Sequence, residues 1–297
     1  MQMRGVFKWG PWQVEYRPED GGRLSRLSFK GYDLLTKEPL NFRPPLMDCG
    51  DYEKRPVYGY DDCFPSIGAC PYPGTGLYIP DHGEICWLPW NVSAEGNTLD
   101  FYVGSTMLPL MFRRKMTFND SSIDWDFEVI NNGDFPLPFQ HSMHALMRTK
   151  EIVWLDLPAF DSVFDWNRKE TMPLFNPQGV REFLLGLPDG SVEMLFLRNI
   201  NIGQLAWSYS NGMKVQLEFP EKHFPTLGIW WNKSGYPDED GLRRDECAFE
   251  PIAGLTAVLS HEHANGNSLS VDRDRGFKWR AVWQMGIASP PIIPSKR

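Results

Sequence analysis

The sequence predicts an all-β fold of stacked antiparallel sheets, and three observations carry that expectation. Short runs rich in β-branched and aromatic residues recur from end to end, and turn residues separate them. No window holds a sustained 3.6-residue apolar period with caps, and 25 Pro and 26 Gly punctuate the chain. So many strands exceed what one open, twisted sheet accommodates, so the sheets must stack.

In chain order the runs are residues 23–29, 99–104, 111–118, 123–130, 192–197, 213–219, 255–260 and 277–285. Between them lie Asp20-Gly21-Gly22, Glu95-Gly96-Asn97, Asn131-Asn132-Gly133, Pro188-Asp189-Gly190 and Ser210-Asn211-Gly212, the residues that tight hairpin turns select. Residues 44–80 differ. They are rich in Pro, Gly, Tyr and Cys without a clear period, which suits either a binding or lid loop or a structural loop over a sheet end. No repeat or linker divides the chain, so residues 1–297 are expected to form one domain, a length that all-β folds reach.

A formal net charge of -8 and a pI near 5.3 argue against a nucleic-acid partner, which needs clustered Lys and Arg. Neutral or mildly charged small molecules fit better. Aromatic residues make up 14% of the chain, with 12 Trp, and such rings serve either as core filler or as walls that stack on a sugar's C–H face. The five cysteines lack C-x-x-C spacing, so neither a disulfide framework nor a zinc site is expected. With reduced thiols, no signal-like N-terminal segment and no apolar run near 18 residues, the expected location is cytoplasmic, away from membranes.

Four places could carry chemistry. In Pro80-Asp81-His82-Gly83-Glu84, Gly83 allows close backbone approach and the following 85–88 reads as a strand, so the junction is either a ligand-contacting loop or a solvated polar turn. In 139–147 strand alternation puts Gln140, Ser142 and His144 on one face and Phe139, His141, Met143 and Ala145 on the other. His141 and His144 therefore cannot easily share a metal, and His144 is the one to turn toward a ligand, unless it is a buried structural histidine. Trp230 and Asn232 share a face of the strand 226–232. Glu250, between Phe249 and Pro251, sits in an apolar setting that either raises its pKa toward proton transfer or demands a compensating hydrogen bond. His261-Glu262-His263 reads as an exposed hairpin end rather than a metal site, and no H-E-x-x-H, G-x-S-x-G, Walker or G-x-G-x-x-G motif is present.

Taken in order, these blocks resemble the aldose 1-epimerase family, the galactose mutarotase-like proteins. Residues 61–68 running to Asp81-His82-Gly83-Glu84-Ile85-Cys86-Trp87-Leu88-Pro89-Trp90 resemble the branch with a D-H-G-E-x-W-x-x-P-W signature. Residues 139–147 are similar to the family's His-bearing strand, 227–232 to its aromatic-Asn strand and Phe249-Glu250-Pro251 to its Glu-Pro motif. The resemblance implies a β-supersandwich and a cofactor-independent interconversion of sugar anomers, on a monosaccharide or sugar acid. It implies Glu250 as base on the anomeric hydroxyl, His144 as acid on the ring oxygen and His82 as a hydroxyl partner. Beside these motif residues, Asp62, Glu84, Trp87, Trp230 and Asn232 are expected as further substrate contacts. Ring opening needs one proton removed and another donated, by groups tuned toward neutrality. The better-known galactose mutarotases carry an Asn-Arg pair where this chain has Ile67-Gly68-Ala69-Cys70, so the sugar is left open. So is a non-catalytic sugar-binding role, or glycoside cleavage by a pair drawn from Asp81, Glu84 and Glu250.

Overall fold

The computed structural model describes residues 4–39, 49–50, 52, 55–237, 241, 243–273 and 275–287. Three antiparallel sheets dominate it. A six-stranded sheet runs Gly5–Trp9, Trp12–Arg17, Arg23–Phe29, Tyr60–Cys63, Ser142–Ala145, with Tyr32–Asp33 also paired to Arg23–Phe29. An eight-stranded sheet runs Ile152–Asp156, Gln204–Tyr209, Met213–Glu218, Gly276–Ile287, Ser122–Asn131, Leu110–Phe118, Thr98–Gly104, Asn91–Glu95. The third has five strands, Glu170–Met172, Ser162–Asp165, Ser191–Arg198, Thr226–Pro237 and Arg243–Ile252.

Alternation explains how these sheets stack. Along Leu110–Phe118 every second residue is buried, and Ser122–Asn131 buries Ile123, Trp125, Phe127 and Val129 in the same way. One face of the large sheet therefore meets the core while the other meets solvent. Trp12, Trp90, Trp125, Trp207, Trp231, Trp279 and Trp283 are all buried in that core, so most of the 12 tryptophans fill the interior. One inward position carries Arg114, tolerated because Asp62 pairs with it and Gly22 O accepts from Nη2 at 2.6 Å.

Two backbone hydrogen bonds, each 2.8 Å, exchange between Met147 and Cys247 and tie the six-stranded sheet to the five-stranded one. Counting back along this antiparallel bridge sets residue 144 against residue 250. A short bond pair thus fixes the two halves of the site.

Three local expectations need correction. Residues 85–88 form a 3-10 turn over Ile85–Trp87, not a strand, and an apolar run buried on every side carries no period to tell them apart. Residues 255–260 bend and then enter a helix, Leu259–Ala264, because the buried Glu262 carboxylate gathers Leu255 N and the Thr256 hydroxyl. His261 and His263 are exposed on that helix rather than on a hairpin. A further helix, Pro177–Gly186, begins where the Asn176 side chain caps Gly179 N with proline at the first position, and it buries only Val180 and Leu184. Of residues 44–80, positions 44–48, 51, 53 and 54 lie outside the described residues. No helix among the described residues is long and apolar enough to cross a membrane.

Candidate active site

The concave side of the five-stranded sheet lines a cavity of about 780 Å³. Register builds its floor. Phe196 pairs with Gly228 and Gly228 with Glu250, while Met194 pairs with Trp230 and Trp230 with Ala248, so these residues share one face. Cys247, Phe249 and Trp231 alternate to the core side. Glycine at 228 matters here, because a Cβ would lie 3.3 Å from the Glu250 Cβ and 2.9 Å from Ile252 Cδ1. Any side chain there would crowd the carboxylate.

The six-stranded sheet supplies the facing histidine. His144 pairs with Asp61 across Tyr60–Cys63, and its Nδ1 lies 2.8 Å from Asp61 Oδ1. The same carboxylate accepts from Arg23 Nη2 at 2.6 Å and from the Tyr52 hydroxyl at 3.0 Å. Burial works against the Asp61 charge, but Arg23 and then His144 outweigh it and hold the carboxyl well below its usual range. An ionised Asp61 accepts from Nδ1–H, which leaves Nε2 to carry or release the second proton. For His144 itself burial opposes protonation, while the Asp61 hydrogen bond and charge, with Glu250 behind them, win and raise its pKa.

His82 comes from the Pro80–Glu84 turn in a left-handed conformation, φ 61°. Its ring stacks on Tyr52 at 3.7 Å, its Nδ1 meets Asp81 Oδ2 at 2.8 Å, and its centroid lies 5.1 Å from that of His144. Gly83 permits the approach, since a Cβ there would sit 2.1 Å from Phe64 O. A strained backbone held by this many partners is typical of a site that uses the side chain.

Glu250 is 4% exposed, and burial raises its pKa, offset in part by His144 and His82. Cavity, carboxylate and imidazoles thus converge: Glu250, His144, His82 and Trp230 all line one space. Four other expected contacts do not. Asp62 is turned to the core, where Arg114, the Tyr60 hydroxyl at 2.6 Å and His141 Nε2 at 3.0 Å use its oxygens. Glu84 is fully buried and gathers Ser105, Thr106 and Met107 N into a turn. Trp87 packs with Tyr52 and Cys86 and under Arg55. Asn232 holds a strand bulge, accepting from Gly235 N and Tyr236 N at 2.9 Å each.

The wall also holds residues that the sequence reading passed over: Tyr52, Asp61 behind His144, Trp166, Arg168, Glu193, Arg244 and Glu246. Counting back by twos from Glu250 finds Glu246 and Arg244, and a one-residue shift in register turns Asp62 into Asp61. Among the described residues, Cys63, His82 and His144 present ligand atoms within 4.8 Å of one another. Burial pushes the Cys63 thiol well up, which favours its neutral form. His141 stays apart, packed against Phe127 and Phe112.

Solved structures share this architecture. The Slr1438 protein from Synechocystis sp. PCC 6803 superposes with a TM-score of 0.76 at 15% identity, covering 97% of this chain and 96% of that one. A candidate aldose 1-epimerase from Escherichia coli K12 gives 0.71 at 13% identity, over 97% and 100%. A galactose mutarotase related enzyme from Lactobacillus acidophilus gives 0.66 at 12% identity, over 97% and 99%. No family model and no curated protein matches the sequence. The fold is the galactose mutarotase-like one.

Proposed function

We propose that the protein is a cofactor-independent mutarotase that interconverts the α and β anomers of a monosaccharide. The observation that carries this is the pairing of Glu250 with His144: a buried carboxylate and a buried imidazole face one cavity from adjoining strands, and both have raised pKa values. The same fold in proteins described as aldose 1-epimerases and galactose mutarotase-like supports it.

In this reading Glu250 takes the proton from the anomeric hydroxyl as the C1–O5 bond breaks, and His144 Nε2–H protonates O5. Rotation about C1–C2 and reclosure, with the protons returned, yields the other anomer. Asp61 positions the imidazole and favours the imidazolium, the form that can donate to O5. His82, with Nδ1 committed to Asp81, offers Nε2 to a ring hydroxyl. Trp230 covers the C–H face of the ring.

The test is anomer exchange by NMR or polarimetry on freshly dissolved α-aldoses, with the uncatalysed rate subtracted. Acceleration that saturates with sugar is expected. Binding without acceleration would leave a carbohydrate-binding protein, and release of new reducing ends would mean a glycoside-cleaving one.

A further inference from the structure

We propose that Glu246 is a second anchor of the site: it accepts hydroxyls at the end of the ring opposite the anomeric carbon and so selects an uncharged sugar over one phosphorylated or oxidised there. This rests on the reading of Glu250 and His144 as the proton-transfer pair.

The first ground is an oxygen without a partner. Glu246 is 2% exposed yet lines the cavity. Its Oε1 is shared by Trp230 Nε1 at 3.4 Å and Arg244 Nη2 at 3.3 Å, while its Oε2 has no hydrogen-bond partner. A buried carboxylate oxygen left bare is costly, and the donor that suits it is a ligand hydroxyl. Asn232, opposite Glu246 in register, donates to Tyr236 O and, with Trp230, helps to hold the Glu246 charge, leaving Oε2 as the oxygen without a close partner.

Position is the second ground. Glu246 and Glu250 are four residues apart on one strand face, about 13 Å of rise, which matches one pyranose with a hydrogen bond at each end. Trp230 pairs with Ala248, midway between them, so an indole floor lies beneath the ring with a carboxylate at either side.

Charge is the third. Asp81, Glu193, Glu246 and Glu250 line the cavity against Arg168 and Arg244. Arg168 already pairs with Asp165 and Glu193, and Arg244 with Glu246 and Val57 O. An anion placed beside Glu246 meets a like charge, and finds Nη1 and Nη2 of Arg244 engaged with only its Nε left to answer it.

The test compares the parent with Glu246→Gln on glucose, galactose, glucose 6-phosphate and glucuronate, reading exchange kinetics by NMR and binding by tryptophan fluorescence. The parent should prefer the uncharged sugars. Loss of a hydrogen bond to a charged acceptor should raise their KM and Kd roughly 10- to 100-fold, with kcat within about threefold. The gap to the two anions should narrow. Glu246→Asp, which keeps the charge but withdraws it, should also weaken the uncharged sugars and serves if the Gln variant fails to fold. Unchanged affinity in the variants, or a parent that prefers the anions, overturns the assignment of Glu246. Tight binding that depends on Glu246 with no exchange at all would instead sink the catalytic reading and leave this one standing.

Discussion

Replacing Glu250 by Gln tests the chemistry most directly, because the change keeps shape and removes only the base. General-base catalysis by one positioned group is typically worth 10²–10⁴-fold. The site offers no deputy. Asp61 is saturated by Arg23, Tyr52 and His144, Asp81 is held by His82, Glu193 is held by Arg168, and Glu246 lies about 13 Å along the strand. The loss in kcat should therefore fall in the upper part of that range, about 10³–10⁴-fold, or about 4–5 kcal/mol of barrier. KM should move little, since the base acts chiefly in the transition state. Stability offers a control. Burial raises the pKa of Glu250, so its ionised form is penalised in the folded state, and a neutral amide escapes that penalty. The variant should melt at or above the parent temperature near pH 7. NMR exchange rates and a thermal melt on one preparation check both, and exchange at the parent rate by a folded variant would refute the mechanism.

Three further outcomes follow from the geometry. Activity needs Glu250 ionised and His144 protonated, so kcat/KM should rise with pH through the raised Glu250 pKa and fall through the raised His144 pKa; Asp61→Asn removes the group that raises the latter, and the alkaline limb should move to lower pH, an unmoved limb counting against the dyad. Asp62→Ala strands the buried Arg114 and should cost about 3–5 kcal/mol in urea unfolding while KM holds. Trp87→Ala should cost a similar 3–5 kcal/mol of stability without affecting KM, whereas Trp230→Ala should raise KM; the opposite pattern would return Trp87 to the site.

Much of this molecule is written in short-range patterns. The strand 23–29 was legible in full because the turn residues Asp20-Gly21-Gly22 and Lys30-Gly31 bracket it, and Ser210-Asn211-Gly212 marked its hairpin because Gly212 has φ 86°. The helix Pro177–Gly186 hid because only two of its residues are fully buried, although Asn176-Pro177 was a readable start. Asp62, Glu84, Trp87 and Asn232 were misplaced for one reason. Residue type and neighbourhood nominate a polar or aromatic side chain, but which way it points depends on register and on distant partners such as Arg114 and Thr106.

The two Asp–His pairs make that point physically. Strands Tyr60–Cys63 and Ser142–Ala145 put Asp61 beside His144 on one side, while Asp62 reaches His141, just outside the second strand, on the other, at 2.8 and 3.0 Å. Both histidines are buried and both meet a carboxylate. Yet for His141 burial lowers the pKa, with Asp62 unable to reverse it, while for His144 the balance goes the other way. The difference lies in what else is near. An arginine claims each carboxylate, Arg114 on Asp62 and Arg23 on Asp61, and opposes protonation of the histidine beside it, but His141 is closed in by the rings of Phe112, Phe127 and Trp279. His144 instead faces Glu250, whose negative form favours the imidazolium, across open space that a sugar can enter. One motif, read on opposite faces of two strands, therefore gives a core strut on one side and the proposed acid on the other, and it is the second carboxylate across the cavity that separates them.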